Sequence, residues 1–417
     1  MPKADGTDRL VSTFEIADEV VSAQLFHGLT GKNRAKFSAH SYAYRTDLSP
    51  HDAVEYMAAE FSQHQRLFVA EFDFTKYFDT ISHEYLRATF RDQRIVSTDS
   101  ESALIDAFLK APMPVTSEDW KDGGNRPLRS KGLPQGTSIS LFLANLAATP
   151  LDRRLERLGV NFARYADDTV IWSEEYNEIN RAVSALQESS KEIGSPINFK
   201  KSPGVRLLTP DGTKNAEMPK TSSVDFLGHA IALDAVAMRD RAQAKLKSNV
   251  QRLIYDNLLR EPRDGTTNID RLITVDWDYV VLISQLRRYL YGPLSEDRIR
   301  AFQVGDMPPA QFEGMMSFYP LVNDRAQLRK LDGWILSQVW LALRRRRLLI
   351  GSRVSSVYPW DLTKSELSAA QIEVSAGGEK WDLRMPSLTR ISDVIQSVIA
   401  AHGPSAVRRH DVYSYGD

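Results

Sequence analysis

The apolar positions of this chain follow two different periods, and the change between them falls near residue 238. Before it, short runs rich in β-branched and aromatic residues alternate with longer amphipathic stretches. "RLFVAEFDF", Arg66 to Phe74, is such a run and predicts a buried strand. "NFARYADDTVIWS" predicts a β-hairpin with Asp167 and Asp168 at its tight turn. Between them, "QGTSISLFLANLAATPLDRRLERLG" carries Leu141, Ala144, Asn145, Ala148 and Leu151 at helical spacing, with Gly159 as the stop. "YNEINRAVSALQESSKEIG" repeats the pattern through Ile179, Val183, Leu186 and Ile193, and Gly194 ends it. A further strand pair is expected around "INFKKSPGVRLL" and "VDFLGHAIAL".

Beyond that point the pattern is helical. "AKLKSNVQRLIYDNLL", "WDYVVLISQLRRYLY", "LRKLDGWILSQVWLALRRRRLL" and "SLTRISDVIQSVIAA" each predict a helix, and "REPRDGTTNID" a loop. The expected fold class is α+β: an antiparallel sheet flanked by helices, then an all-helical region, with the boundary near residues 235 to 240. A length of 417 residues suits two or three closely packed lobes.

Composition narrows the class without naming a function. With 42% hydrophobic and 26% charged residues the chain reads as soluble and globular. No apolar run approaches the roughly 20 residues that cross a bilayer, and "MPKADGTDRL" has no signal-peptide core. The absence of cysteine excludes disulfides, thiolate zinc sites and cysteine nucleophiles, and suits a reducing cytoplasm. Lys+Arg number 53 and Asp+Glu 54, so the bulk charge does not advertise a nucleic-acid partner. The distribution is uneven, however: "LRRRRLLIGSR" sets Arg344, Arg345, Arg346 and Arg347 in a row, and "RDRAQAKLKSNVQRL" is basic along a helical pattern.

The adjacent Asp167 and Asp168 admit two readings: a solvated turn, or a pair of carboxylates around a divalent cation. A third acid, Asp73, ends the first strong strand. If that strand pairs beside the hairpin, its carboxylate faces the other two, and such a cluster is electrostatically unstable without cations. Mg²⁺ seeks oxygen donors and often combines a few carboxylates with substrate phosphates. Two ions roughly 3.5–4 Å apart can clamp the attacking and leaving oxygens of a displacement at phosphorus.

"FVAEFDFTKYFDTISHEYL", "GLPQGTSISLFLANLAATPLD", "RYADDTVIW", "INFKKSPGV" and "VDFLGHAI" together resemble the successive palm motifs of reverse transcriptases, and "AHSYAYRTDLSPHDAVEYM" resembles the fingers segment of the group II intron branch. The likeness covers roughly residues 9 to 235. It implies a right-hand polymerase with fingers at 1–65 (and inserted elements at 90–130), palm at 66–89 and 131–238, and a helical thumb and RNA-binding region at 239–417. It implies Asp73, Asp167 and Asp168 as ligands of two Mg²⁺ ions (or Mn²⁺), and Lys201 beside the leaving pyrophosphate. Phe78 matches the steric gate that would reject a ribose 2′-hydroxyl. Gln135, Gly136, Phe74 and Tyr165 match positions around the incoming nucleotide, and Arg45 a fingers arginine. Phe226, Leu227 and Gly228 match the primer grip. Lys245, Lys247, Arg252, Arg287, Arg288 and the Arg344–Arg347 run become candidates for nucleic-acid contact.

Departures from the intron-type pattern refine the resemblance. Leu141 stands where a Pro usually follows the Gln-Gly, and no nuclease or cysteine-bearing module follows the thumb. The chain looks most like the unclassified bacterial enzymes associated with antiphage defence, in their compact type 2 form. That implies a structured non-coding RNA as template, a primer–template duplex, dNTPs as substrates and complementary DNA as product. Priming from a tail hydroxyl, Tyr413 or Tyr415, is a further possibility of the group. Three alternatives remain at this level: an RNA-dependent RNA polymerase, a maturase-like RNA-binding protein with a vestigial centre, and a regulatory toxin acting through its helical half.

Overall fold

The computed structural model describes residues 11–112, 128–200, 202–214, 217–292, 294, 298–299, 301–302, 313–369, 373–376, 379–403 and 406–407. The chain divides into two compact units. The first runs to Leu227 and takes back Ala232–Asp234; the second comprises Gly228–Ile231 and everything from Ala235. Among the described residues no helix is long and apolar enough to cross a membrane.

The first unit is built on a five-stranded sheet of order β2-β3-β1-β4-β5. Its strands are β1 (Leu67–Phe72), β2 (Asn161–Tyr165), β3 (Asp168–Ser173), β4 (Gly204–Leu208) and β5 (Lys220–Thr221). Strand β1 is central and antiparallel to both neighbours: Ala70 faces Ile171 on one side and Val205 on the other. Apart from Glu71 it is apolar on both faces, because both are covered. Phe68, Ala70 and Phe72 join Phe162, Ile171 and Leu207 in the core under α6 (Ser138–Leu158) and α7 (Tyr176–Ile193), through Leu143, Ala147, Leu151, Ile179 and Leu186. On the opposite face, Trp172 packs against Tyr56 and Phe61 of α2 (Pro50–Phe61), with ring centroids 5.5 and 5.3 Å apart. Helix α2 starts sharply because Ser49 and Asp52 cap each other's backbone and Pro50 opens the first turn. Among the described residues, further helices of this unit are α1 (Ile16–Asn33), α3 (Tyr77–Thr80), α4 (His83–Asp92) and α5 (Asp99–Leu109).

The expected partnership between "INFKKSPGVRLL" and "VDFLGHAIAL" is corrected. Ile197 makes only an isolated bridge to Phe74, and Phe199 and Lys200 are exposed. Strand β4 begins at Gly204 and joins β1 and β5, whereas β7 (His229–Ile231) pairs with β8 (Val236–Met238); Val224–Phe226 is β6.

The second unit holds α8 (Asp240–Ile254), α9 (Arg260–Asp264), α10 (Trp277–Tyr291), α11 (Arg325–Ile350), α12 (Lys364–Ala369) and α13 (Leu388–His402). Three details differ from expectation. A π-helical turn, Tyr255–Leu259, follows α8. The first residues of "REPRDG" remain helical up to Gly265. A two-stranded ribbon, β9 (Glu373–Ala376) with β10 (Glu379–Asp382), interrupts the helices. Arg346 also departs from its expected role. Its guanidinium is fully buried, with Nε 2.6 Å from Asp276 Oδ2, a terminal nitrogen 2.6 Å from Asp278 Oδ2, and another donating to the Leu258 carbonyl at 2.9 Å. A charge so enclosed is a packing element and has no face to offer RNA.

Gly159 and Gly194 end α6 and α7 in the left-handed region, at φ +73 and +82. A Cβ on Gly159 would meet nothing within 4 Å, whereas one on Gly194 would lie 3.2 Å from the Thr80 carbonyl oxygen. Gly159→Ala is therefore expected to cost about 1–2 kcal/mol of stability in urea unfolding from backbone conformation alone. Gly194→Ala should cost measurably more; equal losses would count against the Thr80 contact.

Candidate active site

Strand alternation brings the acids together. Glu71 faces Val170 and Phe72 faces Thr169, so the ladder runs on toward Asp73 and Asp168. Asp73 shares the face of Glu71, and Asp168 that of Val170, because side chains alternate along a strand. Facing residues of an antiparallel pair have Cα atoms about 4.5–5.5 Å apart. All three acids are half-buried. Asp73 is held by its backbone, its N–H donating to Ser202 Oγ at 3.1 Å and its carbonyl accepting from Asn198 N at 2.8 Å. Glu71, the next acid along the same face, is ion-paired with Arg206; burial still pushes its carboxyl above the usual range, against the pull of that arginine.

Among the described residues, no three or more His, Asp or Glu side chains form a ready-made cation cage. Mg²⁺ typically needs only one or two protein carboxylates, with waters and substrate phosphates completing its shell. Asp73 and Asp168 offer such a pair of hard oxygen donors, and Asp167, at the turn, is a third. These are the residues that could hold a divalent ion.

The turn itself is strained. Tyr165 pairs with Asp168, so Ala166 and Asp167 make the connection, and Ala166 sits at φ +57. A left-handed alanine costs about 1–2 kcal/mol and needs surrounding structure to hold it. Arg164 supplies it, donating to the Ala166 carbonyl at 2.8 Å. The same guanidinium makes two 2.6 Å bonds to Asp152 of α6 and further bonds to Ser41 Oγ at 2.7 Å and Asn145 Oδ1 at 3.0 Å. Both Arg164 and Asp152 are 0% exposed. Burial pushes the Asp152 carboxyl up, and the adjacent guanidinium pulls it back. These residues were not anticipated as site components. Their signal was local: Asp152 is a charge on a helix face otherwise filled by Leu151 and Leu155, and Arg164 a charge inside an apolar strand. A charge in such a position must be paired.

Residues 78–83 and 131–135 are zipped together. Leu133 N donates to Phe78 O at 2.6 Å, Gly132 N to Ile81 O at 2.7 Å, and His83 Nε2 lies 2.7 Å from Gly132 O. Gly132 is required, since a Cβ there would come within 2.5 Å of the Asp79 carbonyl oxygen. The zipper presents Gln135, whose side-chain amide donates to Asp79 Oδ1 at 2.8 Å and whose carbonyl accepts from Ser12 N at 2.7 Å. Gly136, at φ +114, faces Ser12 so closely that a Cβ would lie 2.5 Å from its carbonyl oxygen. Backbone closeness is thus explained by the chain's own N-terminal segment.

The other expected site residues are placed as follows. Phe78 is half-buried, between Tyr77 and Tyr44, with ring centroids 6.1 and 6.5 Å away. The Phe74 ring is buried in the core 5.3 Å from Tyr77 and has no exposed face to offer a ligand. Tyr165, half-buried, has Tyr44 at 6.1 Å. Arg45 is folded onto Asp47 and the Ser38 carbonyl with 8% of its side chain exposed, a bidentate hold that keeps the Asp47 carboxyl below its usual range. Phe226 is fully buried, and Leu227 and Gly228 both turn through positive φ, at +47 and +81. Lys201, Tyr413 and Tyr415 lie outside the described residues. In the second unit Lys247 lies over Trp334 (5.8 Å), Arg344 over Trp340 (5.1 Å), Arg287 donates to the Arg384 carbonyl (2.7 Å) and Arg347 pairs with Asp361. Lys245, Arg252, Arg288 and Arg345 are exposed.

Removing one partner of a buried ion pair strands the other, and Asp152→Ala is expected to destabilise the first unit by about 3–5 kcal/mol in denaturant unfolding. A loss below about 1 kcal/mol would show that the pair does not brace the turn.

Residues 1–231 match the family model described as "Reverse transcriptase (RNA-dependent DNA polymerase)". Protein YkfC of Escherichia coli strain K12 is 26% identical over 158 residues, 37% of this chain and 39% of that protein. The protein named for intron 1 of COX1/OXI3 in Saccharomyces cerevisiae is 30% identical over 156 residues, 37% of this chain and 18% of its own length. The chain thus spans well under half of either relative. Among solved structures, telomerase of Candida tropicalis in complex with a fragment of telomeric RNA aligns with 82% of this chain and 56% of that one, at 11% identity and a TM-score of 0.41. With more than half of its length matched by the family model, and the acids of its central strands at adjoining ends, the chain belongs to the reverse transcriptase family.

Proposed function

We propose that this chain is an RNA-directed DNA polymerase that copies a structured non-coding RNA into complementary DNA during antiphage defence. The observation that carries the polymerase reading is the β1–β3 register, which runs Asp73 and Asp168 toward one another on a shared face. On this reading residues 1–65 and 90–130 are fingers, 66–89 and 131–238 palm, and 239–417 thumb and RNA-binding region. Asp73, Asp167 and Asp168 hold magnesium, which when bound neutralises the triphosphate and lowers the pKa of the primer 3′-hydroxyl. Phe78 closes the space beneath the sugar against a 2′-hydroxyl. Gln135, oriented by Asp79, lies against the incoming nucleotide. Phe226, Leu227 and Gly228 grip the primer, and Lys201 stands near the leaving group. Exposed Lys245, Arg252, Arg288 and Arg345 contact phosphates, so binding weakens steeply with salt. The similarity to an intron-named yeast protein supports the intron-like branch, and the sequence resemblance to defence-associated enzymes supports the defence role by analogy.

The test uses the full chain with an RNA template, a DNA primer and dNTPs. Asp73→Ala and Asp168→Ala should each lower synthesis about a thousandfold or more, with thermal unfolding unchanged. Retained synthesis in either variant would remove the metal assignment. Phe78→Val should admit ribonucleotides. In the host, Asp168→Ala should abolish protection in a phage plating assay, and RNA bound to the protein should be recovered with its complementary DNA. Undiminished protection by that variant would favour a binding role over polymerisation.

A further inference from the structure

Tyr44 occupies an unusual backbone position. Its φ is +59, a left-handed conformation that bulky residues rarely adopt. Strain of this kind persists only where the surroundings impose it. Here they do. Tyr42 N donates to the Arg164 carbonyl at 2.9 Å, Asn145 Nδ2 to the Ala43 carbonyl at 3.1 Å, and the Arg45 guanidinium to the Ser38 carbonyl at 2.6 Å. The loop is therefore pinned on both sides of the strained residue.

What the strain achieves is the position of a ring. Tyr44 is the middle member of an aromatic row, 6.5 Å from Phe78 at 77° and 6.1 Å from Tyr165 at 54°. On its other side Phe78 meets Tyr77 edge-on at 6.1 Å, and Tyr77 is anchored in the core: 2% exposed, its hydroxyl donating to the Ala144 carbonyl at 2.8 Å. The Phe78 ring thus has one wall from the core and one from the loop. Tilted and edge-to-face contacts of this type favour a particular ring orientation. Without the loop wall, other staggered χ1 wells become accessible to Phe78, because steric surroundings decide which of them a side chain can occupy.

We propose that Tyr44 is a positioning residue for sugar selection: it holds the Phe78 ring where that ring excludes a ribose 2′-hydroxyl. The inference rests on the reading of Phe78 as the gate of a DNA polymerase, and names the group that sets the gate's stringency.

The test measures kcat/KM for single incorporation of a dNTP and the matching rNTP by the full chain. Tyr44→Phe keeps the ring and should keep the wild-type discrimination ratio. Tyr44→Ala should lower that ratio about three- to tenfold, mainly through a lower KM for the rNTP. Tyr44→Leu, which fills the space without a flat edge, should also lower it and serves if the alanine variant unfolds. Combined with Phe78→Val, Tyr44→Ala should add nothing further, since both act on one wall. Phe78→Val relaxed beside Tyr44→Ala and Tyr44→Leu at the wild-type ratio would overturn the proposal alone. Phe78→Val at the wild-type ratio would overturn the gate and the proposal together.

Discussion

A guanidinium enclosed by protein cannot lose its charge at any accessible pH, so whatever surrounds it has to be arranged to satisfy it. Arg164 imposes that requirement at the centre of the first unit. Its partners come from three places: Asp152 and Asn145 on α6, Ser41 in the loop before α2, and Ala166 in the turn beside Asp167. Satisfying one cation therefore fixes helix, loop and turn relative to one another. The left-handed Ala166 and the left-handed Tyr44 are both braced beside this network, through the Ala166 and Ala43 carbonyls. Precision at the acidic turn is a consequence of charge satisfaction several residues away.

The loop that precedes α6 is built by a different device. Residues 131–135 have no regular element of their own and borrow order from 78–83 through backbone hydrogen bonds. Gly132 allows the two segments to touch, and Asp79 then orients Gln135. Helix α6 begins immediately after this loop, and Ser22 of α1 accepts a hydrogen bond from Ile139 N at 2.9 Å. One buried hydroxyl thus satisfies an N-terminal amide of α6 that has no partner within its own helix. The elements that carry the acids, Phe78 and Gln135 share one continuous core.

The regular elements were legible because periodicity reports which face of a segment is apolar. β1, the hairpin, α6 with its Gly159 stop, and α7 with its Gly194 stop all follow from local spacing. "INFKK" was misread for the same reason: Ile197 and Phe199 alternate like a strand, yet Phe199 is 72% exposed and the chain turns, with Ser202 N donating to the Asn198 carbonyl. Remote pairing has no local signature. Ser41 and Arg164 stand 123 positions apart, and Arg346 reaches Asp276 across 70. A pattern of hydrophobic and polar residues can show that a charge is buried; it cannot show which distant group receives it. The bracket around the acidic turn and the ring row through Tyr44 belong to that second kind of information.

The same limit explains the arginine run. Consecutive residues on an α-helix are turned by about 100°, so four in a row point around most of the circumference. Arg344 to Arg347 do so: Arg344 lies on Trp340, Arg345 is exposed, Arg346 enters the core and Arg347 turns to Asp361. A run that looks like one basic patch in the sequence is four different environments in space. A basic face on a helix needs spacings of three, four or seven, and α8 supplies one, with Lys245 and Arg252 both exposed two turns apart. Chain-wide charge balance and dense arginine runs are therefore poorer guides to a nucleic-acid surface than the angular position of a few lysines and arginines.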